Sequence, residues 1–196
     1  MKAFRNFVAC LPLALLLCAA AAVAAPKQAP LPRDSAYQLP ATLTDQDGKS
    51  WDWRSKRGTP QVVAMFYTSC RFVCPLIIDS GKAVEHALPA DERAKLGLLL
   101  VSMDPERDTP EALMSVVRKR KLDTARWSLA SPKPDQVRSV AGVLGVRYRQ
   151  LADGEFNHTS VLVLLDADGR IIARSEQIGS QLDPEFLAEV RRVLAR

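Results

Sequence analysis

Apolar positions along this chain form short continuous runs that alternate with runs of helical spacing. Continuous apolar runs of strand length cover residues 62–67 and 98–103, as expected for strands buried on both faces of a sheet. Between them, apolar residues recur at helical intervals over 75–88. Thr109-Pro110-Glu111 then supplies an N-cap hydroxyl, a proline at the first helical position and an early acid, which predicts a helix that runs to about Lys121.

The rest of the chain extends this alternation. Turn and cap residues predict further elements: a hairpin turning at Asp47-Gly48, a strand over 127–130, a helix over 134–144, a hairpin of strands 160–165 and 170–176 around Asp166-Ala167-Asp168-Gly169, and a last helix capped by Asp183. This order predicts an α/β fold, in which a mixed central sheet begins with an N-terminal β-hairpin and is flanked by helices on both sides. The sequence indicates one such domain and no internal repeat.

The N-terminus follows a different pattern. A basic start with Lys2 and Arg5, an apolar stretch over 7–22 and small residues up to Ala24 are typical of a secretory signal peptide, and the stretch is short for a spanning helix. We predict that residues 1–24 are a signal peptide cleaved after Ala24, so that the protein is periplasmic. The alternative is an uncleaved segment that anchors the chain to the inner membrane.

The exported part is predicted to be a linker and one mildly basic domain. Residues 25–36 carry three prolines and little apolar surface, which predicts a flexible linker before a domain over 37–196. Removing the signal peptide lowers the net charge of +5 by two. The one dense basic cluster, 118–121, lies at a predicted helix C-terminus, where it complements the helix dipole, and no interleaved aromatic residue could stack bases. We therefore expect no nucleic-acid binding. One domain with no obvious amphipathic excess predicts a monomer, which would reach a membrane only through a partner.

Two cysteines carry the clearest chemical signal. Cys10 and Cys18 leave with the signal peptide, so Cys70 and Cys74 remain, between a buried strand and the start of a helix. The positive backbone field of a helix N-terminus favours thiolate, the form that binds soft metals or attacks disulfides. In an oxidising compartment the pair would form a disulfide bond unless a metal or a redox partner holds it otherwise.

Two further residues are candidates for the same site. Asp104 follows the carboxyl end of the neighbouring strand, where ligands of open α/β sheets gather, and either faces the thiols or hydrogen-bonds its own turn. His158 stands at the start of a late strand, and only tertiary folding can bring it near Cys70. Two thiolates and one imidazole suit copper, either Cu(I) in a three-coordinate site or Cu(II) with an added oxygen ligand. Zinc usually takes a fourth protein ligand, and none is obvious.

At these residues the chain resembles the Sco/SenC family of thioredoxin-fold copper chaperones. The resemblance covers the chain from about Tyr37 onward and rests on motifs in the same order: Phe66 to Cys70 with Cys74-Pro75, Val101 to Glu111, and His158 followed by a strand and Asp166-Ala167-Asp168-Gly169. It implies a thioredoxin-like, peroxiredoxin-like fold. It also implies copper held by Cys70, Cys74 and His158, with Asp104 as a supporting residue. The implied role is delivery of copper, or of reducing equivalents, to the binuclear copper site of cytochrome c oxidase or to another periplasmic copper or thiol protein.

The chain departs from the family pattern beside the thiols, and alternative functions stay open. Arg71-Phe72-Val73 stands where the family usually has Pro-Asp and an aliphatic residue, and Asn157 stands where it often has Asp. Arg71 stabilises thiolate and repels a cationic metal at once. The leading prediction is a metallochaperone without turnover. One alternative is a thiol-disulfide oxidoreductase in which Cys70 attacks and Cys74 resolves. Another is a peroxiredoxin-like peroxidase, although the proline of that group's usual motif is missing.

Overall fold

The computed structural model describes residues 29–196, and the compact unit that contains the elements below spans Leu31–Arg196. The predicted signal peptide, with Cys10 and Cys18, lies outside the described residues, and its cleavage after Ala24 stays a prediction. In the described part of the chain, no helix has the length and apolar character needed to span a bilayer.

Strands and helices alternate through residues 29–196, as the sequence predicts. The strands are β1 (Thr42–Asp45), β2 (Ser50–Asp52), β3 (Gln61–Phe66), β4 (Gly97–Ser102), β5 (Trp127–Pro132), β6 (Tyr148–Gln150), β7 (Phe156–His158), β8 (Leu162–Leu165) and β9 (Ile171–Ser175). The α-helices are α1 (Val73–Ala87), α2 (Ala90–Arg93), α3 (Pro110–Arg120), α4 (Val137–Val143) and α5 (Pro184–Leu194). The short helix α2 and the pair β6–β7 are additions to the predicted elements.

The central sheet of the described chain has the strand order β2-β1-β5-β4-β3-β8-β9. Its three middle strands run parallel: Val62 of β3 lies beside Leu98 of β4, which lies beside Trp127 of β5. The hairpins β1–β2 and β8–β9 flank them antiparallel. Every residue of β3 is buried, as in a strand covered on both faces. The predicted fold class, an α/β thioredoxin-like mixed sheet with an N-terminal hairpin, is confirmed.

Helix α1 packs closely on the sheet because Gly81 lets it approach. A Cβ at Gly81 would lie 2.6 Å from Cη2 of Trp127 on β5, closer than carbon atoms can approach. Nearer the end of the helix, buried Glu85 accepts a hydrogen bond from the Trp127 indole N–H at 3.0 Å and forms an ion pair with Arg126. These contacts fix the position of α1, and with it the cysteines at its start.

The chain before β8 differs from the prediction. The sequence pattern placed His158 at the start of the strand that became β8, but His158 is the last residue of β7, opposite Tyr148 in a separate two-stranded sheet. Both β6 and β7 have only three residues, and none of these residues is fully buried. Their sequences therefore carry no period-two signal, and the hairpin could not be predicted locally.

Packing of the folded unit starts slightly before Tyr37. Ser35 forms a β-bridge with Arg170, and the Ala36 N–H donates to the Gly169 carbonyl at 2.8 Å. Tyr37 itself is fully buried against the edge of Trp53. The last residues of the predicted 25–36 linker thus take part in the fold.

Candidate metal and thiol site

The two cysteines lie where β3 passes into α1, at the carboxyl end of the strand. Helix α1 begins at Val73, so Cys74 is in its first turn, and no side-chain oxygen caps it. The backbone N–H of Cys74 instead donates to Sγ of Cys70 at 3.4 Å. The Cys70 sulfur therefore takes the place of an N-cap acceptor, in the positive field of the helix.

The two thiols differ in acidity. Burial opposes ionisation of Cys70, but the hydrogen bond from the Cys74 N–H, together with the nearby Phe72 backbone and Tyr67 hydroxyl, outweighs it and holds the pKa of Cys70 below that of an ordinary thiol. At Cys74 burial dominates and raises the pKa, and the nearby charges of Cys70 and Asp108 raise it further. Both are free thiols, Cys70 8% and Cys74 2% exposed. Cys70 is thus the thiol that ionises first.

The imidazole of His158 reaches these thiols from hairpin β6–β7. Its Nε2 lies 4.0 Å from Sγ of Cys74, and its Nδ1 lies 3.1 Å from the carbonyl of Thr159. A carbonyl oxygen only accepts, so Nδ1 carries the proton and Nε2 presents its lone pair to Cys74. Burial lowers the pKa of His158, more than the Thr159 carbonyl raises it. The ring is therefore neutral and held in the tautomer that binds metal through Nε2.

The distance between Cys74 and His158 fits two ligands of one metal ion. Taking zinc bond lengths of about 2.3 Å to sulfur and about 2.0 Å to nitrogen, two such donors on one ion lie at most about 4.3 Å apart. The observed 4.0 Å is within this limit. Among residues 29–196, no group of three His, Cys, Asp or Glu side chains is yet close enough to hold an ion. A three-donor site with Cys70 therefore requires these side chains to move closer together.

Tyr67 holds the hairpin of His158 over the cysteine turn. Its hydroxyl donates to the Glu155 carboxylate at 2.9 Å and accepts from the Phe156 N–H at 3.3 Å. Its ring meets Phe156 and His158 edge to face, with centroid distances of 5.1 and 6.0 Å. Tyr67 lies three residues before Cys70, so these contacts fix the positions of the thiols and the imidazole relative to each other.

Arg107 is a second anchor of the same hairpin. Its guanidinium pairs with Asp104 and also donates to the carbonyl of Gly154, at the tip of β6–β7. Asp104 was predicted to support the site, and it does not reach the thiols through any hydrogen bond found among the described residues. Its carboxylate accepts a hydrogen bond from the Arg107 guanidinium, and its backbone N–H donates to the Ser102 hydroxyl at 2.9 Å. Its link to the site runs through Arg107 and the hairpin.

A buried carboxylate, Asp108, braces the cysteine turn. It accepts hydrogen bonds from the Thr68 N–H at 3.1 Å and from the hydroxyls of Thr68 and Ser102. Burial raises the pKa of Asp108, and these hydrogen bonds only partly oppose the rise. Asp108 thus joins the turn after β4 to the turn that carries Cys70.

The sequence interpretation missed Tyr67, Arg107 and Asp108 as supporting residues. A signal existed for the two later ones, since a run of charged residues follows the carboxyl end of β4, where side chains of neighbouring strand ends meet. Tyr67 could not be recognised from the sequence. It ends an apolar run, and its polar contacts are with residues far along the chain.

Two hollows near the donors are distinct from a larger cavity elsewhere in the described chain. That cavity, about 670 Å³, lies at the opposite end of β3 beside Pro60 and Asp166, and no thiol or imidazole lines it. A hollow of about 120 Å³ lies beside Cys70 and Cys74, with Lys119 on its far wall. A third hollow borders His158. The chemistry of the donors, rather than cavity size, therefore locates the site.

Comparison with known proteins identifies the family of this chain. The SCO1/SenC family model matches residues 30–195. A Stutzerimonas stutzeri protein described as copper-binding is 26% identical over 146 residues, which are 72% of this chain and 69% of that protein. The copper-bound structure of Bradyrhizobium japonicum ScoI is 27% identical, with a TM-score of 0.66, and the match covers 79% of this chain and 98% of that one.

A third similar protein shows the fold alone, at 20% identity. It is BsSco, described as a member of the Sco family of cytochrome c oxidase assembly proteins with a disulfide switch. The match covers 80% of this chain and 92% of BsSco, with a TM-score of 0.67. With the family model matched over nearly the whole described chain, this protein belongs to the SCO1/SenC family.

Proposed function

We propose that this chain is an exported copper-binding metallochaperone in which Cys70, Cys74 and His158 hold the copper ion that is transferred. The observation that carries the proposal is the lone pair of His158 Nε2, 4.0 Å from Sγ of Cys74, beside a second thiol. Two soft sulfurs and one imidazole suit copper, and Cu(I) above all. The similarity to copper-bound ScoI and to the copper-binding Stutzerimonas protein supports this choice of metal.

Copper binding displaces protons from the thiols. Cys70 is the more acidic thiol and supplies the first thiolate, whereas Cys74 loses its proton as the metal takes its sulfur. His158 is already neutral and loses none. Two thiolates and a neutral imidazole leave one net negative charge with Cu(I), so it is the softness of the two sulfurs, rather than charge balance, that favours the monovalent ion.

The proposed recipient is the binuclear copper site of cytochrome c oxidase. The description of BsSco as a member of a family of oxidase assembly proteins supports it. A periplasmic location is part of the proposal and is supported by the signal peptide predicted at residues 1–24. Copper passes to the recipient by ligand exchange, so the chain needs no turnover of its own.

The second candidate is a thiol-disulfide oxidoreductase, and the opposite pKa shifts of the two thiols favour it. A low-pKa thiol, here the less buried of the two, paired with a more deeply buried high-pKa thiol is the arrangement of an attacking and a resolving cysteine. In that reaction the Cys70 thiolate attacks a partner disulfide and releases one partner thiol. Cys74 then displaces the second, and a Cys70–Cys74 disulfide remains. His158 has no part in these steps.

Copper titration under anaerobic, reducing conditions tests the proposal. The protein is titrated with Cu(I), then Cu(II), against a competing chelator, alongside Cys70→Ser, Cys74→Ser and His158→Ala. His86→Ala is the matched control, because His86 is the only other histidine and is exposed on α1. We expect one copper per chain, lost in the three site variants and kept in His86→Ala.

Disulfide exchange measured on the same variants separates the two candidates. The chaperone proposal predicts that His158→Ala loses copper and keeps exchange. Copper retained at wild-type strength by His158→Ala, with exchange lost only in the cysteine variants, would contradict it and favour the oxidoreductase.

A further inference from the structure

We propose that the rim of this site docks an acidic partner protein, and that Phe72 is the side chain that enters an apolar hollow of that partner. The inference deepens the proposed function, on which it rests, because it names the chemistry of the surface that receives the copper. It comes from the residues between and around the cysteines.

Phe72 is exposed where a folded chain would normally bury an aromatic ring. It is 83% exposed, the most of any large hydrophobic residue in the described chain, and it precedes α1 between the two cysteines. Leu76, one helical turn later, is 45% exposed. Covering a phenylalanine ring contributes about 2 kcal/mol, and buried aromatic residues are frequent hot spots of interfaces. This apolar pair borders Cys70 and Cys74, so a protein that covers it also meets the thiols.

The rim around this pair carries positive charge without ion-pair partners in the described chain. Arg71 is exposed beside Cys70, Lys119 is exposed and lines the hollow of the thiols, and Arg147 is exposed and lines the hollow of His158. None of the three forms a salt bridge among residues 29–196.

Three of the acids nearby are already engaged by other side chains. Asp79 pairs with Arg120, Asp104 pairs with Arg107, and Glu155 accepts from Tyr67. The positive charge of the rim is therefore available to attract an external negative surface. Such complementarity raises association rates and selects partners more than it adds affinity.

Charge decides between the possible occupants. A second copy of this chain in a twofold interface would set the same cations against each other, which is unfavourable. An anionic lipid surface would satisfy the charges and the ring but offers no ligand to which copper could pass. An acidic protein with an apolar hollow meets the charge, the ring and the need for metal ligands.

The test measures the affinity of the full chain for the soluble oxidase domain that carries the binuclear copper site. Phe72→Ala is expected to weaken binding by about tenfold or more, as truncation of a hot-spot side chain does. Arg71→Glu is expected to slow association and to reduce its dependence on salt. The matched control is Lys95→Glu, an exposed cation beside the distant cavity, which is expected to leave affinity unchanged.

Further measurements separate failure of docking from failure of copper binding. Copper retention of each variant is measured without the partner, so a lost site is not mistaken for lost docking. If His158→Ala retained copper while Phe72→Ala and Arg71→Glu still weakened binding, the copper proposal would fail and docking would stand. The docking proposal is overturned if the wild-type chain does not bind the domain, or if both rim variants bind as wild type does.

Two other results would also overturn it, each in favour of another occupant. One is a concentration-dependent dimer in sedimentation that Phe72→Ala abolishes. The other is binding to phosphatidylglycerol vesicles, lost in Phe72→Ala, with no binding to the oxidase domain.

Discussion

At the scale of single residues, the site places two thiols of opposite character next to one neutral imidazole. The Cys70 sulfur lies at the start of α1 and accepts a hydrogen bond from the Cys74 N–H, whereas the Cys74 side chain is almost fully buried. A local motif was enough to predict that both cysteines act together. Their difference in acidity was not predictable, because it depends mainly on how deeply tertiary packing buries Cys74 and on the backbone N–H that donates to Cys70.

This difference predicts the order in which the thiols react with an alkylating agent. The pKa of Cys70 is lowered, so it is ionised and reactive at pH values where an ordinary thiol, with a pKa of about 8.5, is still protonated. The pKa of Cys74 is raised, so it reacts only at higher pH. Iodoacetamide labelling of the reduced protein, followed by peptide mass spectrometry over a pH series, should label Cys70 first.

Tyr67→Phe provides the control for this order. Without the hydroxyl, Cys70 loses one interaction that favours its thiolate, so the midpoint of its labelling should move to higher pH. Labelling of Cys74 before Cys70, or equal midpoints for both, would refute the assignment of roles.

At the scale of elements, hairpin β6–β7 determines where the imidazole lies. The hairpin forms a sheet of its own, separate from the central one, and polar contacts from Tyr67 and Arg107 attach it to the turns after β3 and β4. Its three-residue strands have little intrinsic stability. The position of His158 therefore depends on these anchors.

Loss of the Arg107 anchor is expected to weaken copper binding without removing a ligand. Arg107→Ala frees the Gly154 carbonyl and leaves Asp104 without its partner, so the hairpin becomes more mobile. Changes in residues that position metal ligands typically lower affinity about tenfold or more, and we expect a loss of that size in the chelator competition. Hydrogen exchange of the hairpin amides should accelerate in parallel.

Arg192→Ala is the matched control, because Arg192 forms an ion pair of the same spacing with Glu189 on α5. It should change neither copper affinity nor hairpin exchange. Unchanged exchange in Arg107→Ala would refute the role of this anchor.

Helix α1 is expected to tolerate no side chain at Gly81. Gly81→Ala sets a Cβ against Trp127 of β5 and should destabilise the fold by about 1–3 kcal/mol, the usual cost of overpacking. Gly142→Ala in α4 is the control, since nothing lies within 4 Å of the added methyl group. It should be neutral or raise the free energy of unfolding by up to about 1 kcal/mol. Urea denaturation of both variants measures the difference, and equal stability of the two would contradict the packing of α1.

The elements differ in how far the sequence predicted them. Strands β3 and β4 and the Thr109-Pro110 start of α3 were predicted because their signals are local: apolar runs, a cap and a proline. Hairpin β6–β7 was not predicted, because what holds it in place is contact with Tyr67, 89 positions from Phe156. Tertiary contacts of this kind leave no pattern in the segment itself.

At the scale of the whole molecule, the sheet brings distant segments to one edge. Strands β3 and β4 are parallel neighbours, so the turns that follow them meet, with Thr68 and Asp108 joined by hydrogen bonds. The sequence predicted this meeting of strand ends, but not the arrival of His158 on a separate hairpin. The rim of the same edge carries Phe72 and the cations without salt bridges, so the proposed copper site and the proposed docking surface lie at one end of the sheet.

The X-ray absorption spectrum of the copper-loaded protein tests the central claim most directly, because it counts the atoms bound to the metal. We predict two sulfur scatterers and one imidazole nitrogen in the wild-type protein and in His86→Ala, and loss of the imidazole contribution in His158→Ala. A wild-type spectrum with sulfur ligands alone, unchanged by His158→Ala, would show that His158 does not bind copper and would contradict the proposed site.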